Sequence, residues 1–247
     1  MQMKCLWVCV LWIGNYIPLS ANPVPPPDSD TTAIKIISTT EEVCPHEQIT
    51  LAIQKAIVIG DILCTDGSIV KRSKYTQSRK TAKGIVFWID HTDLHGWAVD
   101  LRETILCQWS IINIDIPDLV NEDDNLDDLN RDAIKAYRDT AGYTNTRIIR
   151  AFGTPESHPA AYAVDFQNGW YLPAARQLHF LQPQFDEMNI SLRLVGGTPI
   201  RTYEGGDFCW YWSSTEVSDR KVALGHDLWF IAAPKDSQER VRAVCNF

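Results

Sequence analysis

Flat aromatic rings beside carboxylates suit the chemistry of contact: the rings stack on a sugar or another apolar face, and the acids orient what is stacked. The chain concentrates such groups in CWYWSSTE, residues 209–216. In an extended strand Trp210 and Trp212 share one face, while Cys209, Tyr211 and Ser213 share the other. A strand aromatic ordinarily belongs to a half-buried core. The binding reading instead has Trp210, Trp212 and Trp229, or Trp170, supplying area, with Glu216, Asp207 and Glu204 supplying polar contacts. GGTPIRTYEGGD, residues 196–207, has no following Gly-Lys-Ser/Thr and reads as a flexible ligand-side loop, not a phosphate cradle.

Other reactive residue types lack the spacing their chemistry needs. His91 and His95 are four apart, but they fall in a hairpin turn, where helical spacing aligns nothing. The acidic run DDNLDD, residues 123–128, imitates a calcium loop until its sixth and twelfth positions, which are Asp128 and Ile134 where Gly and Glu are required. No metal or cofactor is therefore expected, and calcium has no motif behind it. No nucleophile elbow or dinucleotide fingerprint accompanies His158, His179 or His226. The seven cysteines include no C-x-x-C pair. In an exported chain Cys209 and Cys245, both in strand-like segments near the end, are the favoured disulfide partners.

The elements that must position these groups follow from the pattern along the chain. Residues 1–21 read as an export signal: a basic start ending in Lys4, an apolar run, and small residues before Asn22. That run is interrupted by Gly14, Asn15 and Pro18 and is too short to span a bilayer, so no membrane span is expected in the mature chain. Residues 22–59 form a Pro-rich spacer, NPVPPPDSDTT, and an extension without a clear role. A domain of residues 60–247 follows. The net charge of −8 and the lack of a basic stripe argue against a nucleic-acid surface.

Within the domain, GDILCTDGSIV predicts a hairpin about Asp66-Gly67, and the segment 84–101 repeats the logic. Leu126, Leu129, Ala133 and Tyr137 share one helical face, with Gly142 as the C-terminal stop. A second helical region starts at Pro173 and is kinked or restarted at Pro183. Strand-like segments CWYWSST, VALGHDLWFIAA and RVRAVCNF close the chain. Hairpins, two main helices and closing strands predict an α+β fold.

Several motifs in order carry a family resemblance: NTRII (145–149), HPAAYAVDF (158–166), GWYLPAARQLHFL (169–181), YWSSTE (211–216) and VRAV (241–244). They resemble a domain of exported Bacteroidales proteins, similar to the C-terminal domain of a bacterial collagen-like adhesin and to the major paralogous domain. The resemblance implies a C-type-lectin-like fold, related to formylglycine-generating enzymes, with two main helices and twisted antiparallel strands. It implies a non-catalytic, adhesin-like module, secreted or held at the cell surface or in the periplasm. Such a module would recognise glycan or protein through loops around residues 196–229. Two alternatives stay open: a thiol enzyme of the formylglycine-generating type, which would need Cys209 brought to Cys245, and a structural subunit of a surface assembly.

Overall fold

The computed structural model describes residues 56–90, 95–119, 135–204, 207–218, 221–226 and 229–247. The signal, the spacer, His91 and the acidic run lie outside them, as does most of the helix expected to end at Tyr137; residues Lys135–Arg138 form a 3₁₀ turn.

The predicted hairpin is β1 (Ile62–Cys64) and β2 (Ile69–Val70). Its turn forms because Gly67 takes a φ of +81°, where L-residues are strained, and Asp66 accepts hydrogen bonds from the Ser68 amide and hydroxyl. After one helical turn, α1 (Tyr75–Ser78), come β3 (Ala82–Ile89) and β4 (Gly96–Asp100). β4 begins on Gly96 because a Cβ there would meet Trp88 O and the Phe247 ring. The last strand, β12 (Val244–Asn246), returns to pair antiparallel with β4. The resulting antiparallel sheet has the order β12-β4-β3-β1-β2.

A second five-stranded sheet holds CWYWSSTE. It comprises β5 (Thr104–Cys107), β8 (Tyr211–Glu216), β9 (Lys221–His226), β10 (Trp229–Pro234) and β11 (Glu239–Val241), in the order β10-β9-β8-β11-β5. β8 and β11 run parallel; the other neighbours are antiparallel. A small hairpin, β6 (Tyr203–Glu204) and β7 (Asp207–Phe208), precedes β8.

The helices are α2 (Gly142–Phe152), the single turn α3 (Pro159–Tyr162), α4 (Ala175–Leu181) and α5 (Phe185–Val195). α4 packs on strands of both sheets, α5 on β3 and α2 on β8. Pro183 separates α4 from α5 through a 3₁₀ turn, as expected, and Gly196, at a φ of +76°, ends α5. The mixed α+β architecture stands, but α2 is a third substantial helix. Gly142 opens it instead of stopping the helix before it. The glycine is needed for space: a Cβ would lie 2.3 Å from Gln177 Oε1 and 2.8 Å from the Ala174 nitrogen.

Candidate functional site

Both faces of β8 are covered, and this decides what CWYWSSTE can do. All six residues from Tyr211 to Glu216 are buried. Trp212 packs in the main core and donates its indole N–H to Cys107 O at 2.8 Å. Tyr211, on the opposite face, joins the cluster beneath α4 and α5. Its hydroxyl donates to Glu103 Oε1 at 2.7 Å, and burial beside that carboxylate pushes the phenol far above its ordinary range. Glu216 is fully buried, paired with the equally buried Lys235. Desolvation raises the Glu216 carboxyl above its usual range despite the lysine. Trp212 and Glu216 are thus core groups and offer no surface to a ligand, contrary to the binding reading. Alternation separates the faces of a strand, but it does not tell whether the second face is wet.

Among the named aromatics whose side chains are described, Trp210 is the most open. It is half-buried and lines a hollow of about 260 Å³ with Leu106, Phe208, Cys209, Glu239 and Arg240. Asp207 and Trp229 lie on β7 and β10, but their side chains are outside the described residues. Trp170 lies elsewhere, in a cleft with Lys83, Asp100, Arg102 and Thr198; its ring is nearly buried, with Lys83 Nζ 5.5 Å from its centroid.

The structure adds three residues that the sequence reading missed. Tyr203, Phe208 and Leu106 are 62%, 58% and 51% exposed. Tyr203 and Phe208 face each other across the β6–β7 pair, ring centroids 5.7 Å apart and edge to face. Phe208 then continues into the hollow with Leu106 and Trp210. Contiguous apolar side chains of this size on a surface mark interaction sites more often than chance exposure does. The sequence signal was present in YEGGDF, where an aromatic stands one residue outside each acid that flanks the two glycines.

A buried ionic hub holds the floor beneath this patch. The Glu103 side chain, 4% exposed, has Arg201, Arg240 and Arg242 within 4.0 Å. Arg242, fully buried, donates to the backbone carbonyls of Asp100, Thr198 and Pro199. The Arg201 amide donates to the Tyr211 hydroxyl at 2.9 Å. The segment leading into β6 is thereby tied to the centre of the second sheet.

The Cys209 and Cys245 thiols are placed away from one another and from solvent. Cys209 and Cys245 are both free and buried, so the favoured disulfide is not formed. They lie on different parts of the fold: Cys245 is in β12 and pairs with Ala98 in β4, whereas Cys209 lies outside the strands, just before β8. Burial raises the Cys245 thiol to about 12 and the Cys107 thiol to about 11, the opposite of thiolate activation. We expect Cys245 in the native chain to react with a disulfide reagent at pH 8 at least tenfold slower than in the urea-unfolded chain, read by mass mapping after a timed quench. Among the described residues no three His, Cys, Asp or Glu side chains gather in a geometry that could hold a metal ion. His95 is exposed.

No family model matches this sequence, and no curated protein resembles it significantly. The fold is shared with a solved structure, a fimbrial protein from Bacteroides ovatus ATCC 8483, at a TM-score of 0.60 and 17% identity. The match covers 77% of this chain and 49% of that protein, so the chain corresponds to about half of its neighbour's length.

Proposed function

We propose that the chain is a non-catalytic, exported binding module that docks a protein partner within a surface assembly through the patch of Tyr203, Phe208, Leu106 and Trp210. The patch is the observation that carries this reading. Three of its four residues, Tyr203, Phe208 and Trp210, sit in the region, residues 196–229, that the sequence singled out for recognition and bring rigid aromatic rings; Leu106 joins them from β5. Two further observations support it. The fold is similar to that of a fimbrial protein. The residues at 1–21 have the pattern of an export signal. The finer assignment to the C-type-lectin-like fold rests on the order of the sequence motifs. A thiol enzyme is disfavoured by the raised Cys245 and Cys107 thiols.

Two measurements on the purified chain test the proposal: its mass in solution as a function of concentration, and its signal on a glycan array with calcium and with EDTA. Docking between copies makes the mass rise with concentration, and Phe208→Glu abolishes the rise. Tyr203→Ala and Phe208→Ala weaken association at least tenfold while changing the unfolding free energy by no more than about 0.5 kcal/mol, as for exposed side chains elsewhere. A blank array with a concentration-independent mass overturns docking between copies of the chain. An array signal lost in Phe208→Ala makes the partner a glycan, and one unaffected by both substitutions places the site elsewhere.

A further inference from the structure

Two reactive groups play no part in the docking patch: the amine of Lys235 and the carboxyl of Glu216, each with no solvent exposure. The strand register brings them together. Glu216 in β8 lies opposite Val222, Val222 lies opposite Ala233 in β10, and Lys235 stands two residues beyond Ala233, in the turn that follows β10. Lys235 Nζ donates to Glu216 Oε1 and, at 2.8 Å, to Ile114 O. Ile116 N–H donates to the other carboxyl oxygen, Oε2, at 3.4 Å. The walls are aromatic: Nζ lies 4.9 Å from the centroid of Trp109, and buried His158 packs edge-on against that ring.

We propose that Lys235 and Glu216 are a modification site, at which the two side chains condense to an intramolecular amide that ties the end of β8 to the end of β10. The reaction needs no oxidant, reductant or cofactor. One proton passes from Nζ to Oε1 within the existing hydrogen bond, leaving an amine against an acid. The nitrogen lone pair attacks Cδ, forming the Nζ–Cδ bond. A second proton passes from Nζ to Oε1, the Cδ–Oε1 bond breaks, and Oε1 leaves as water. Nζ keeps one proton and Oε2 becomes the amide carbonyl.

The surroundings fit that product. An amide has one N–H and one carbonyl, and the site offers Ile114 O as acceptor and Ile116 N–H as donor, the latter placed to stabilise negative charge on Oε2 during the attack. In water, condensation is opposed because the separated ions are well hydrated; in this site that hydration is already gone. Holding the two groups in contact also replaces a collision between separate molecules.

Peptide mass mapping of the unfolded wild-type chain tests the proposal without relying on any variant. The expected result is a branched species in which the peptide bearing Glu216 and the peptide bearing Lys235 are joined, one water lighter than their sum, with no cleavage after Lys235 by a lysine-specific protease. Recovery of the two as separate peptides of full mass, from a chain that was folded before digestion, overturns it. A Lys235→Arg chain serves as the control in which the joined species is absent.

Discussion

Replacing Lys235 with methionine leaves no amine to condense and frees the Glu216 carboxyl in the interior, and it lowers the unfolding free energy by about 3–5 kcal/mol, the usual cost of leaving one partner of a buried pair alone. The reasoning concerns what remains. Glu216 stays at zero exposure beside the Ile116 amide and β9, and the other charge acting on it, Asp115, is repulsive. The pH dependence has a definite sign. Desolvation already holds the folded-state affinity of this carboxyl for its proton above that of the unfolded chain, whose reference value is 4.5. A group raised in this way contributes its full stability below the unfolded value and loses it as pH rises through the folded one. Removing the lysine removes the influence that lowers the value, so that loss becomes larger. The deficit of Lys235→Met relative to wild type is therefore smallest near pH 4 and largest above neutrality. Urea unfolding at pH 4, 6 and 8 measures it. Adding Glu216→Leu to the same chain recovers most of the loss, because an apolar pair of similar volume carries no desolvation penalty. A deficit that is flat with pH would mean that Glu216 reaches water or another cation in the variant.

The pair shows where sequence reading stops. Asp66-Gly67 specifies its hairpin within five residues, and Pro183 specifies a helix break locally, so both were legible. Lys235 and Glu216 meet only through the registers of two successive strand pairings, which no local pattern encodes. The same limit explains Trp212: its indole bonds to Cys107, 105 residues earlier in the chain, because β8 lies next to β11, which in turn pairs with β5. Gly142 departs from its expected role for a related reason. A glycine after a helical pattern signals a stop when backbone conformation demands it, but this one is demanded by Gln177 and Ala174 pressing from α4. The recognition region was legible as a Gly-rich stretch between aromatic residues; which rings face solvent depended on how many layers cover the second sheet.

Arg242→Met produces the second large effect, about 3–5 kcal/mol, by a different route. Glu103 keeps Arg201 and Arg240 in the variant, so the carboxylate is not left alone. What is lost is donors: the carbonyls of Asp100, Thr198 and Pro199 all lean on this one guanidinium. A buried carbonyl without a partner costs about 1–3 kcal/mol, and three of them cannot all turn to water while the sheet stays intact. Arg242→Lys restores charge but only part of the stability, because a single ammonium does not reproduce the planar fork that reaches from Asp100 to Pro199. The loss also has a direction in the fold. Thr198 and Pro199 begin the segment that leads through Arg201 to Tyr203, so loosening it disorders the base of the hairpin that displays Tyr203 and Phe208. Amide exchange should accelerate across residues 198–204 well before the first sheet is affected, and association through the patch should weaken together with stability. Phe208→Ala, by contrast, weakens association at constant stability, and comparing the two variants in one melting and exchange experiment separates a residue that touches the partner from one that holds the contact surface in place.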